Sequence, residues 1–131
     1  MALSKTGSDF FSINLINSMN KGNGQCTVSS LALGEYLKWV PSSDSSIAAI
    51  THSGILSSKQ YKDVPDPDRT HITFVYTDLG DSRFQLQPLY KIDFYLQQAY
   101  FGKEECIVAQ AKDASTGSPK GNGPFFFKKI S

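Results

Sequence analysis

Between Thr70 and Phe101 the chain alternates apolar and polar residues. Ile72, Phe74 and Tyr76 interleave with His71, Thr73, Val75 and Thr77. Further on, Tyr90, Ile92, Phe94 and Leu96 interleave with Lys91, Asp93, Tyr95 and Gln97. A period of two sends successive side chains to opposite faces, which is the signature of a strand. The stretch carries eight aromatic residues in 32 positions, twice the chain-wide share of 12%, so the core is expected to be densest here. Asp78-Leu79-Gly80-Asp81 supplies turn formers between the two runs. Pro88 cannot donate to a ladder and marks a bulge or an edge irregularity. The expected element is a β-meander.

The rest of the chain supplies further strands and one helix. Around Phe10 to Asn17 a helix would scatter Phe10, Ile13 and Ile16 away from Phe11, Leu15 and Met19, whereas alternation suits a strand. Lys21-Gly22-Asn23-Gly24 reads as its closing turn. In Ser29 to Val40, Leu33, Tyr36, Leu37 and Val40 fall on one face at 100° per residue, Glu35 and Lys38 lie opposite, and Pro41 ends the run. The pattern predicts a helix over about 29–40. Ile47 to Ile50 reads as a short strand, followed by a turn at His52-Ser53-Gly54 into Ile55 and Leu56. Two prolines stiffen the loop Lys62 to Arg69. Cys106 to Ala111 forms another strand, a polar loop occupies 113–123, and Phe125 to Phe127 pairs in the sheet. Residues 1–8 read as disordered. The expected fold is a β-rich α+β domain spanning 1–131. It has about six or seven mainly antiparallel strands in a sandwich or meander sheet, with one amphipathic helix (29–40) packed on it. No internal repeat is visible.

Composition narrows the classes of partner. Thirteen basic and twelve acidic residues leave a formal charge of +1. A domain built for non-specific phosphate binding carries a clear basic excess, so nucleic acid could bind only at a local patch. Lys128 and Lys129, with Lys112 and Lys120 before them, form the candidate. No apolar run approaches the ~20 residues needed to cross a bilayer, and no export signal is visible. A soluble, cytoplasmic protein without a membrane partner is expected. Its two cysteines, Cys26 and Cys106, are then expected as free thiols.

Candidate chemistry is sparse. Cys26 stands just before the expected helix, where unpaired amides and the helix dipole would favour a thiolate. The order Gly24-Gln25-Cys26, a helix, then His71 opening a strand resembles the layout of papain-like cysteine proteases, including viral leader proteases. The resemblance implies Cys26 as nucleophile and His71 as base. Thr27 stands where those families often place an aromatic. His52, His71 and the two cysteines lack the close spacing that nucleates a zinc site. Asp63, Asp66 and Asp68 lack the glycine and closing glutamate of an EF-hand. No cofactor or metal is implied.

The leading functional expectation is a non-enzymatic binding or assembly protein acting through an aromatic-rich sheet surface, such as a self-associating structural or viral-type component. Aromatics occupy both strand faces, Tyr76 and Phe94 on one and Tyr95 on the other, and sheets of that kind are covered on both sides by a second layer or a partner. The candidate binding residues are Lys91, Tyr95, Gln97, Tyr100, Lys128 and Lys129, and the expected partner is a protein or a second copy. Two alternatives are kept: a hydrolase using Cys26 and His71, and a single-stranded nucleic-acid-binding module that stacks bases on exposed aromatics.

Overall fold

The computed structural model describes residues 3–5, 11–20, 23–31, 33–40, 47–101, 104–111 and 126–128. Ten strands run through them: β1 (Leu3–Lys5), β2 (Phe11–Asn20), β3 (Asn23–Ser30), β4 (Glu35–Val40), β5 (Ile47–Leu56), β6 (Phe74–Gly80), β7 (Arg83–Pro88), β8 (Phe94–Phe101), β9 (Glu104–Ala111) and β10 (Phe127–Lys128). A 3-10 turn at Tyr61–Asp63 and a four-residue helix, α1 (Asp68–His71), complete the set. The β-rich antiparallel organisation is the one the alternation predicts, with more strands than expected.

All ten strands belong to one antiparallel sheet, in the order β1-β9-β5-β4-β3-β6-β7-β10. Two strands fork it. β3 ladders along its whole length with β2; on its other side, Asn23–Cys26 pairs with β6 and Ser29–Ser30 with β4. β9 ladders with all of β8, while its opposite edge takes β1 and then β5. β7 and β8 also lie alongside each other. The sheet thereby wraps one cluster. It is built from Cys26 and Val28 of β3, Leu37 and Trp39 of β4, Ile50 of β5, Phe74 of β6, Phe84 and Leu86 of β7, Phe94 and Leu96 of β8, and Ile107 and Ala109 of β9. Phe11, Ile13, Tyr76 and Phe127 pack against it. Each fully buried large side chain here is worth about 1.5–3 kcal/mol over an exposed one.

The expected helix over 29–40 is corrected: the segment is the end of β3, a tight turn and β4. Tyr36 and Leu37, neighbours on the predicted helical stripe, go to opposite faces. Leu37 joins the main cluster. Tyr36 joins a second one with Val64 and Ile72, flanked by Ile55 and Tyr61. The physical reason is coverage. The segment has strand partners on both sides and apolar cover on both faces, so a two-sided apolar strand is buried there as fully as a helix would be. The second cover comes from the excursion between β5 and β6. It is pinned where Tyr36 Oη donates to the Lys59 carbonyl and Tyr61 Oη meets Thr73 Oγ1 at 2.7 Å, Thr73 in turn donating to the Arg69 carbonyl at 2.6 Å.

Four local expectations also change. His52-Ser53-Gly54 is a bulge inside β5: Leu37 lies opposite His52 but Glu35 opposite Leu56. Gly54 takes the positive φ of 77° that this needs, and its N–H donates to Glu35 Oε1 at 2.7 Å. The β6–β7 hairpin turns two residues later than read, at Asp81-Ser82, both with positive φ as in a type I′ turn. The second run of the meander starts as a strand only at Phe94, leaving Tyr90 and Ile92 exposed in the turn before it. Leu3–Lys5, within the stretch read as disordered, pairs with the edge of β9 at Glu105–Ile107. The predicted strand at Phe10 to Asn17 and that at Cys106 to Ala111 are present as β2 and β9.

Candidate interaction surface

The turn from β3 to β4 places a group of leucines at the surface. Gly34 adopts φ 64°, a left-handed conformation that costs an L-residue roughly 1–2 kcal/mol, and its N–H closes the turn on the Ser30 carbonyl at 2.8 Å. The Gly34 carbonyl accepts from both the backbone N–H of Ser57, at 2.7 Å, and its hydroxyl, at 3.0 Å. That pair of bonds ties the turn to the end of β5, where Leu56 lies opposite Glu35. Leu31 (62% exposed), Leu33 (56%) and Leu56 (60%) are thereby held outward at one end of the sheet. The first residue of β2, Phe11, pairs with Ser30 and so adjoins the same end.

A second surface feature lies in the turn after β7. The exposed ring of Tyr90 stacks on Trp39 with centroids 5.0 Å apart, and His71 meets both rings, at 5.8 Å from Trp39 and 5.0 Å from Tyr90. Trp39 is buried beneath this pair, and its Nε1 has no hydrogen-bond partner. The rings are in mutual contact, so the group closes over Trp39 as a lid.

The residues singled out from the sequence are spread over several elements. Lys91 is exposed in the β7–β8 turn, 3.9 Å from Asp93 and over the Phe94 ring at 5.5 Å. Tyr95 is half-buried. Gln97 is 2% exposed, so it offers no surface to a partner. Tyr100 has its backbone paired with Glu105, and its side chain lies outside the described residues. Lys128 is exposed on β10 opposite Arg83, whose guanidinium sits 5.3 Å from the Phe126 ring centroid. Lys112, Lys120, Lys129 and Phe125 fall outside the described residues. The leucine group was missed because Leu33 was assigned to the buried stripe of a helix.

Cys26 and His71 do not have the setting that suggested them. No helix follows Cys26; it sits in mid-β3 between Leu15 and Phe74, fully buried as a free thiol. Burial pushes its pKa up to about 12, opposite to the thiolate a nucleophile needs. His71 ends α1, beside Trp39 and Tyr90. Among the loop aspartates, Asp66 is held below the usual carboxylate range by hydrogen bonds from Arg69, at 3.0 Å, and Thr70, at 3.1 Å. Among the described residues no three His, Cys, Asp or Glu side chains are grouped as metal ligands, and no helix is long and apolar enough to cross a membrane.

Compared with known proteins, the chain matches no family model and no curated protein.

Proposed function

We propose that this is a non-enzymatic assembly protein that associates with itself through its sheet surface. The observation that carries this reading is the leucine group. Three leucines more than half exposed lie on one turn and on the strand end that backbone hydrogen bonds tie to it, and apolar groupings on a folded surface mark contact sites. A turn that spends a left-handed glycine and two bonds to Ser57 to hold leucines in water has its energetic return at an interface.

The test is a sedimentation-velocity concentration series. The wild type is expected to gain mass with concentration. A Leu31→Ser/Leu33→Ser/Leu56→Ser variant is expected to raise the dissociation constant by about tenfold or more, since fully burying one such side chain is worth about 1.5–3 kcal/mol. A wild type that stays a strict monomer at the highest attainable concentration overturns the reading.

A further inference from the structure

We infer that two copies of the chain join edge to edge through β2, antiparallel, about a two-fold axis passing at Ile13. The inference rests on the self-association proposed above and adds to it the strand edge that adjoins the leucine group at Phe11.

Among the described residues β2 ladders only with β3, so its other edge offers backbone N–H and C=O groups to a further strand. Natural edges are usually guarded by charges, prolines or shortness. β2 is ten residues long and reads FSINLINSMN, with no charged residue and no proline. From Phe11 to Leu15 it keeps an unbroken one-to-one register with Ser30 to Cys26, so the outer edge over those five residues is regular as well.

The same five residues are complementary to themselves. Phe-Ser-Ile-Asn-Leu has the same apolar-polar order in both directions about Ile13. Antiparallel pairing centred there sets Phe11 opposite the partner's Leu15, Ser12 opposite the partner's Asn14, and Ile13 opposite itself. Phe11 and Ile13 already pack on the main cluster, while Leu15, at the same alternation, stands 57% exposed. In the pair the partner's Phe11 comes to lie across from Leu15, an aromatic–aliphatic cross-strand contact, and Ser12 and Asn14 meet on the other face as hydrogen-bonding groups. An interface of this kind is isologous and closes on itself.

The strand also carries its own stop. The register slips between Leu15 and Asn17, leaving Ile16 as an extra residue, and slips again between Ser18 and Asn20. Bulges bend and twist a strand, so the flat edge ends after Leu15. Five residues per copy pair, and the assembly is a dimer.

A charge exchange tests the register. Ser12→Lys/Asn14→Lys sets lysine against lysine at two symmetric places, and Ser12→Asp/Asn14→Asp does the same with carboxylates. Each variant alone is expected to raise the dimer dissociation constant by about tenfold or more, as like charges directly opposite disfavour pairing. An equimolar mixture of the two is expected to recover association by forming the mixed dimer. Sedimentation velocity reads the association, and circular dichroism checks that both variants remain folded. Unchanged self-association of the lysine variant, or no recovery in the mixture, overturns the β2 interface. If the wild type associates and only the leucine variant weakens it, the β2 interface fails while the proposed function stands. A monomeric wild type removes both.

Discussion

β2 and β8 are both long strands without a charged residue, and among the described residues each ladders with a single neighbour, β3 and β9 respectively. Their surroundings differ. β8 lies along β7, and three of its four described side chains are buried, Phe94 and Leu96 toward the main cluster and Gln97 on the opposite side, with Tyr95 half-buried. β2 has the main cluster beneath Phe11 and Ile13 but leaves Asn14, Leu15 and Asn17 exposed. Two strands of like chemistry thus present one covered edge region and one open one. Chemistry makes a strand fit for pairing, whereas the neighbours decide whether it is still available.

The largest expected effect breaks the contrast directly. Leu96→Ala in β8 removes a buried side chain and is expected to cost about 2–5 kcal/mol in urea unfolding. The same substitution at Leu15 in β2 is expected to change monomer stability by no more than about 0.5 kcal/mol, measured below the association range. Equal costs at the two positions would erase the difference between the strands.

A smaller effect asks whether the interior stays sealed under the open edge. Cys26 lies opposite Leu15, and burial raises its pKa from 9.0 to about 12. The folded state therefore holds the thiol proton more tightly than the unfolded chain. Its contribution is fully present below about pH 9 and is lost as pH rises toward 12, by up to ~1.4 kcal/mol per unit. Tyr36, also raised by burial, tilts stability the same way. Cys26→Ala is expected to flatten the alkaline fall in stability. In a Cys106→Ser background, Cys26 is expected to resist thiol reagents at pH 8 until the protein unfolds. Rapid labelling of the native state would mean that the β2 side opens.

The smallest effect sharpens the contrast from the β8 side. Ser82→Gly eases the second positive φ of the β6–β7 turn and is expected to stabilise the hairpin flanking β8 by about 0.5 kcal/mol, read as a rise in melting temperature. Self-association through β2 is expected to be unchanged by it.

Local chemistry was legible wherever one residue pattern had one solution. Alternation located β2 and β6, an apolar run located β9, and the turn formers placed the β6–β7 hairpin to within two residues. His52-Ser53-Gly54 was read as a turn, but the glycine that permits a turn also permits a bulge, and β4 running alongside selected the bulge. The Ser29 to Val40 segment failed for the same reason. Leu33, Tyr36, Leu37 and Val40 satisfy a helical stripe, yet Tyr36, Leu37 and Trp39 also satisfy a strand buried on both faces. Of the residues singled out, Lys91 and Lys128 were found exposed, Lys91 in a turn rather than on a strand. Gln97 was not, because the outer face of a strand is polar in sequence whether or not something covers it.

By itself the sequence determined which side chains share a face wherever alternation was the one pattern that fitted, because that periodicity is built into the strand backbone. It also determined that β2 and β8 would lack charge. Only the tertiary structure decided the fates of Cys26, the leucines at 31, 33 and 56, and the two uncharged strands. Burial and edge pairing depend on chain segments far apart in sequence, and no local pattern records which of them will arrive.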